Sequence, residues 1–174
     1  MRFGRFAALL TPPLFALATF SREASAGGIG LDGLQALPPT GWFLPVGLNA
    51  GVAGLGSNAT GALLGGELSV AHVPKDFGWW FGAYADGGYI TGSGVTRFST
   101  GPEVGLSIFG LDGGFVYMAD HGQGHVGFCL RPMLTVGFVS VYGRWDHLLS
   151  GGGVNDGQLG VLLKFPIALE GQHY

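Results

Sequence analysis

Residues 125–148 read HVGFCLRPMLTVGFVSVYGRWDHL, and the spacing within them decides how the rest of the chain is understood. In the first half every even position is apolar: Val126, Phe128, Leu130, Pro132, Leu134, Val136 and Phe138. Between them stand His125, Gly127, Cys129, Arg131, Met133, Thr135 and Gly137, which are smaller or more polar. After Gly137 and Phe138 the parity inverts, with Val139, Val141, Gly143 and Trp145 in one row and Ser140, Tyr142, Arg144 and Asp146 in the other. Side chains along a strand alternate faces with period two, so the stretch predicts a strand, a tight turn and a second strand. One face is wholly apolar and the other carries arginines. A small water-soluble protein turns the apolar face inward, whereas an outer-membrane barrel turns it outward to lipid.

The same alternation recurs along the chain. Strands are expected at about Trp42–Leu55, Ala62–His72, Trp79–Ile90, Val95–Ile108 and Leu111–Asp120, then in the opening hairpin, and last at about Gly157–Leu169. Turns are expected at Gly56–Gly61, Val73–Phe77, Thr91–Gly94, Phe109-Gly110, His121–Gly124 and Ser150–Asp156, where Gly, Asn, Ser and Pro gather. The total is about eight strands, an even number, each long enough to cross a bilayer when tilted.

Composition narrows the class. Of 174 residues, 35 are glycine, 11 % are charged and 47 % are hydrophobic. A soluble domain carries about twice that charged fraction. The net charge of −3 offers no basic footprint for nucleic acid. Cys129 is the only cysteine, which excludes an internal disulfide and a multi-cysteine zinc site, and no cofactor is expected. Residues 1–26 begin with Arg2 and Arg5, continue through an apolar run from Phe6 to Phe20 and end on Ala24-Ser25-Ala26, the pattern of a cleavable signal peptide. Residues 27–41 are then an unstructured periplasmic lead-in, 42–170 the barrel and 171–174 a C-terminal tail. An exported, hydrophobic chain without a spanning helix enters a membrane by closing a barrel, so that no backbone group is left unpaired in lipid.

Parity predicts which face meets lipid. With the apolar rows outward, the inward rows hold Glu67, Asp86, Arg97, Glu103, Asp112, Asp120, Arg131, Arg144, Asp146, Lys164 and Glu170. Their mixed signs allow pairing across a filled lumen, expected to rest on Glu67, Asp86, Arg97, Glu103, Arg131, Arg144 and Lys164. No charge falls mid-strand on the apolar rows, where it would cost about 2–4 kcal/mol in a bilayer. Trp42, Trp79, Trp80, Tyr89 and Trp145 are expected at the membrane interfaces, where amphipathic rings gather.

In this pattern the chain resembles the small eight-stranded outer-membrane barrels of Gram-negative bacteria, the outer-membrane protein A-like and X-like proteins. The resemblance covers about Trp42 to Glu170 and is one of pattern, not of motif. It implies an all-β, eight-stranded, antiparallel up-and-down transmembrane barrel in the bacterial outer membrane with both ends periplasmic. Lipid bilayer and lipopolysaccharide would surround it, and periplasmic chaperones and the barrel-assembly machinery would handle it during biogenesis. Such barrels commonly end on an aromatic residue in phase with the last lipid-facing row. Here Tyr174 is out of phase with Ile167 and Leu169, and Phe165 or Leu169 would serve instead.

Chemistry is expected nowhere but the outer rim. His121, His125 and His147 come there with Asp120, Asp146, Asp156 and Ser150. A histidine beside a carboxylate orients a general base, and a serine completes a hydrolase constellation. The candidates are His125, His147, Asp146, Asp120 and Ser150, in a plan similar to that of lipid A deacylases. That family's His-x-Ser spacing is absent, since Gly127 and Leu149 stand two residues after His125 and His147. Parity also splits the set, with His147 outward and Asp120, His125 and Asp146 inward. The leading expectation is therefore a structural, envelope-integrity barrel with a salt-bridged, closed lumen and no catalysis. A rim enzyme acting on lipid, a small pore and a soluble secreted barrel holding a small apolar ligand are the alternatives.

Overall fold

A computed structural model describes residues 40–55, 60–74, 78–150 and 155–169. The expected signal peptide, most of the lead-in, Glu170 and the C-terminal tail lie outside the described residues. Eight strands follow one another: β1 Gly41–Leu55, β2 Gly61–Val73, β3 Trp79–Ile90, β4 Val95–Leu106, β5 Phe109–Asp120, β6 Gln123–Val136, β7 Val139–Leu148 and β8 Asn155–Ala168. Each pairs antiparallel with the next, and β8 closes on β1. No sheet edge is left open within this barrel. The expected turn at Phe109-Gly110 is displaced: Ser107 and Ile108 make the turn, and Phe109 and Gly110 open β5. Gln123 and Gly124, expected in a connection, begin β6, and Asn155 and Asp156 begin β8.

The register sets the shape. From Phe43 the pairing runs through Ala71, Gly82, Glu103, Asp112 and Arg131. It continues through Arg144, opposite Arg131 in the β6–β7 register, then to Gln158 and back to Ala53 on β1. One circuit therefore climbs from residue 43 to residue 53. A stagger of ten over eight strands gives a strand tilt of about 40° and a wall radius of about 8 Å. The β1–β2, β4–β5 and β6–β7 ladders each break at a proline, Pro45, Pro102 and Pro132, which has no N–H to donate.

Glycine lets so narrow a wall close. A Cβ on Gly51 would strike the Leu159 carbonyl, one on Gly65 the Gly87 carbonyl, one on Gly101 the Gly113 carbonyl, and one on Gly127 the His147 carbonyl. These contacts fall at the β8–β1, β2–β3, β4–β5 and β6–β7 seams, every second seam of the barrel. At each, the two backbones approach so closely on the lumen side that only hydrogen fits.

Polarity is inverted relative to a water-soluble fold. Leu48 and Phe115 on the outer wall are each 65 % exposed, while Arg97 and Arg131 in the lumen are 0 % exposed. The lumen is layered. Ala53, Leu63, Ile90, Val116, Met118 and Leu148, with Val95 against them, form an apolar layer toward the end away from the termini. Charged and polar side chains occupy the middle, and Met133, Tyr142 and Leu162 pack beneath them.

Candidate functional site

The middle of the lumen is a continuous ion-pair network, and Arg131 of β6 is its hub. Its Nε donates to Asp112 Oδ2 at 2.8 Å, and its guanidinium also pairs with Glu67 Oε2 at 2.5 Å and Asp86 Oδ2 at 3.3 Å. The rings of Tyr84 and Tyr142 flank it with centroids 4.9 and 5.5 Å away, adding cation–π attraction. Asp86 also accepts from Arg97 at 3.1 Å, from Arg144 at 3.0 Å and from the Ser99 hydroxyl.

The network then spreads to the remaining strands. Arg144 Nε donates to Asp146 Oδ1 at 2.7 Å. Gln158 accepts from Arg97 and donates to Asp146 and Asp156. Lys164 Nζ bridges Glu67 at 2.6 Å and Glu103 at 2.8 Å. The Tyr142 hydroxyl donates to Asn49 Oδ1 at 2.6 Å, which brings in β1. All eight strands are thereby cross-linked through the interior. Each charge expected in the lumen network lies here.

Six buried carboxylates (Glu67, Asp86, Glu103, Asp112, Asp146 and Asp156) meet the four cations Arg97, Arg131, Arg144 and Lys164. Glu103 Oε1 and Asp112 Oδ1 have no hydrogen-bond partner among the described residues. A buried charge is tolerated only where partners offset its lost hydration, and Arg131, Arg144 and Lys164 each serve more than one acid.

The rim residues do not assemble as a triad. His125 Nδ1 lies 3.2 Å from Ser150 Oγ, which also accepts the Val126 N–H at 3.3 Å. That serine extends the β6–β7 seam beyond Leu148, next to the Leu149 N–H bond to the Val126 carbonyl. Asp146 is turned into the lumen and held by Arg144 and Gln158, so it cannot orient His125. Asp120 contacts His121 Nδ1 instead, with the His121 side chain largely in solvent and that of Asp120 half-buried. His147 faces outward, stacks on Trp145 at 5.7 Å and meets Asn155 Oδ1 at 2.8 Å. Among the described residues no carboxylate bonds to His125, and no group of three or more His, Cys, Asp or Glu side chains could hold a metal ion. What remains is a His–Ser pair that closes the seam.

The aromatic expectation is corrected at one position. Trp42, Trp79, Tyr89 and Trp145 lie on the outer wall, all exposed. Trp80 faces the lumen, where its indole lies over Gly105 and beside Gly110. Consecutive residues of a strand point to opposite faces, so Trp79 and Trp80 cannot share one belt. Several residues of the site are not among the expected network or rim candidates: Tyr84 and Tyr142 around Arg131, the polar Asn49, Ser99 and Gln158, and His72, which packs between Trp42 at 4.8 Å and Phe81 at 5.4 Å on the outer wall. Inward parity was the available signal for the first five. Comparison with known proteins finds no matching family model, no matching curated protein and no matching solved structure.

Proposed function

We propose that the chain is an outer-membrane β-barrel with a structural role in envelope integrity and a closed lumen. One observation carries this reading: a predominantly apolar belt on the outer wall with the charges behind it. Outward rows run from Phe109 to Ala119, Val126 to Val136 and Leu159 to Leu169, each spanning ten residue steps and uncharged. At about 3.3 Å per residue and a tilt of about 40°, ten residues rise about 25 Å, the height of the apolar band of membrane barrels. A surface so rich in exposed Leu, Phe and Val would associate in water. In lipid it is the solvated face.

The layered lumen favours a structural barrel over a pore. Ions entering from the end away from the termini would meet the apolar layer of Leu63, Ile90, Met118 and Leu148 before any charge. Below it, Arg131 and its partners cross the remaining width. The rim enzyme loses support from the engagement of Asp146 in the lumen and of Ser150 with a backbone N–H.

Refolding into vesicles with brominated acyl chains tests the membrane claim. Quenching of Trp42, Trp79 and Trp145 is expected, with Trp80 protected in single-tryptophan variants. Recovery of the folded protein in water without detergent overturns it. In cells, removal of the chain should increase leakage of periplasmic proteins, and unchanged leakage refutes the envelope role.

A further inference from the structure

The deepest part of the lumen carries one acid too many. Among the described residues, Glu67, Asp86, Glu103, Asp112 and Asp146 are each at most 4 % exposed, and they meet the four cations Arg97, Arg131, Arg144 and Lys164. Five carboxylates against four cations leave one negative charge over. The sixth acid, Asp156, sits nearer the end of the lumen and is 9 % exposed. An ionised carboxylate out of water and short of partners is so costly that it takes up a proton instead.

The cations are shared unevenly. Asp86 pairs with Arg97, Arg131 and Arg144, and Glu67 with Arg131 and Lys164. Asp146 has Arg144 and also accepts from Gln158. Glu103 has only Lys164, on Oε2, and Asp112 only Arg131, on Oδ2, and both cations serve other acids as well. Glu103 Oε1 and Asp112 Oδ1 are buried without a partner. The two residues are register partners across the β4–β5 seam. The Cβ atoms of such a pair lie about 4.5–5.5 Å apart, close enough for the carboxyl groups to meet. The charged groups that face the pair are Lys164 of β8, Arg131 of β6 and Glu67 of β2. From β3, Gly82 lies against Glu103 Oε1, and Tyr142 of β7 flanks Arg131.

We propose that Glu103 and Asp112 form a proton-binding site that keeps one proton between them near neutral pH. Two carboxylates at one site do not both stay ionised without enough cations to cover them, and one shared hydrogen satisfies both free oxygens. Asp112 accepts from two nitrogens of Arg131 and stays the carboxylate. The proton sits on Glu103, whose hydroxyl donates to Asp112 Oδ1. Two free oxygens suit a proton rather than a metal ion, since no group of three or more His, Cys, Asp or Glu among the described residues could hold one. With that proton in place the deep lumen is neutral. The bond also ties β4 to β5 just beyond Pro102, where the backbone ladder breaks. The inference rests on the closed lumen proposed above, because water in the tube would solvate both carboxylates.

Infrared spectra of the protein folded in vesicles test the site at about pH 7, where ordinary Asp and Glu side chains are ionised. The parent should show the carbonyl band of one carboxylic acid per chain, above the amide bands and shifted on exchange into heavy water. E103Q and D112N should each fold, because an amide imitates the un-ionised acid. Each should lose the band, because four deep acids then face four cations. No band in the parent, or a band that survives in either variant, overturns the proposal. Failure of both variants to fold overturns it too, since the site as drawn tolerates an amide. A water-soluble maleimide tells the two readings apart when the band is missing. Labelling of Cys129 in the folded parent then means that the lumen is open to water, and protection of Cys129 means that the proton site alone has failed.

Discussion

Replacing Arg131 by methionine keeps most of the side-chain volume and removes one charge from the centre of the lumen. In the parent that charge meets Asp112 at 2.8 Å, Glu67 at 2.5 Å and Asp86 at 3.3 Å. Each such pair is worth about 5 kcal/mol of gross attraction at an effective dielectric of about 20, most of it offset by desolvation. Arg144, Arg97 and Lys164 still cover Asp86 and Glu67 in the variant, but Asp112 loses its only ion-pair partner among the described residues. Removing one partner of a buried pair costs about 3–5 kcal/mol, and we expect R131M to lose that much of a total stability of about 5–15 kcal/mol. Urea titration in vesicles, followed by tryptophan fluorescence and by the mobility of the unboiled band on gels, measures it. The double variant R131M/D112N neutralises the stranded acid, so its cost should fall short of the sum of the single costs by about 1–3 kcal/mol. R131K should fall between parent and R131M, since lysine keeps the charge and loses the planar fork. If R131M unfolds within about 1 kcal/mol of the parent, or if the two substitutions add, the central pairs do not hold the barrel together.

Three further substitutions or probes test separate parts of the argument. L130R, near the middle of the outward row of β6, should cost about 2–4 kcal/mol in a bilayer, whereas an outer wall bathed in water would tolerate it. G101A should destabilise by about 1–3 kcal/mol, because its methyl group would strike the Gly113 carbonyl and crowd the Gly114 Cα. G113A is the control, since its methyl group meets Cys129 O and Leu130 Cδ1 at an ordinary 3.6 Å, and equal costs for the two would contradict the seam argument. Cys129 is buried, with its sulfur 3.2 Å from the Tyr84 hydroxyl, so a water-soluble maleimide should label it only after unfolding. Rapid labelling of the folded barrel would mean that water reaches the lumen there.

The number, direction and facing of the strands were legible because every strand alternates, and alternation is a local property of the chain. The boundaries misread in the sequence share a physical cause. Gly110 looked like a turn residue, but its missing side chain makes room for Met133 and the Trp80 indole inside β5. Gly124 looked like part of a connection, but the Tyr117 ring lies across it within the β5–β6 pair. Meanwhile Ser107 takes φ 54° in the true β4–β5 turn, a position where glycine is the usual marker. A glycine covered by an aromatic ring and a glycine in a turn are identical in sequence. They differ only in what stands opposite, and register decides that.

Register also explains why the lumen was half legible. Parity names the side chains that point inward, and the expected charges are there. It does not say that Arg131 on β6 reaches Glu67 on β2, four strands away. That pairing depends on the stagger of ten, which brings residues far apart in sequence to one height in a tube about 8 Å in radius. The same stagger separates the rim candidates. Asp146 and His147 are neighbours in sequence, yet one is consumed by Arg144 in the lumen and the other stacks on Trp145 outside. Ser150, past the end of β7, instead meets His125 across the seam. Proximity along the chain thus suggested a catalytic group that alternation had already divided. The same alternation answers the question of which face is inside. A tube this narrow has room for one row per strand, and the row with glycines between its charges is the one that fits. The Leu, Phe and Val row is left outside, and any account of this protein has to supply the medium that covers it.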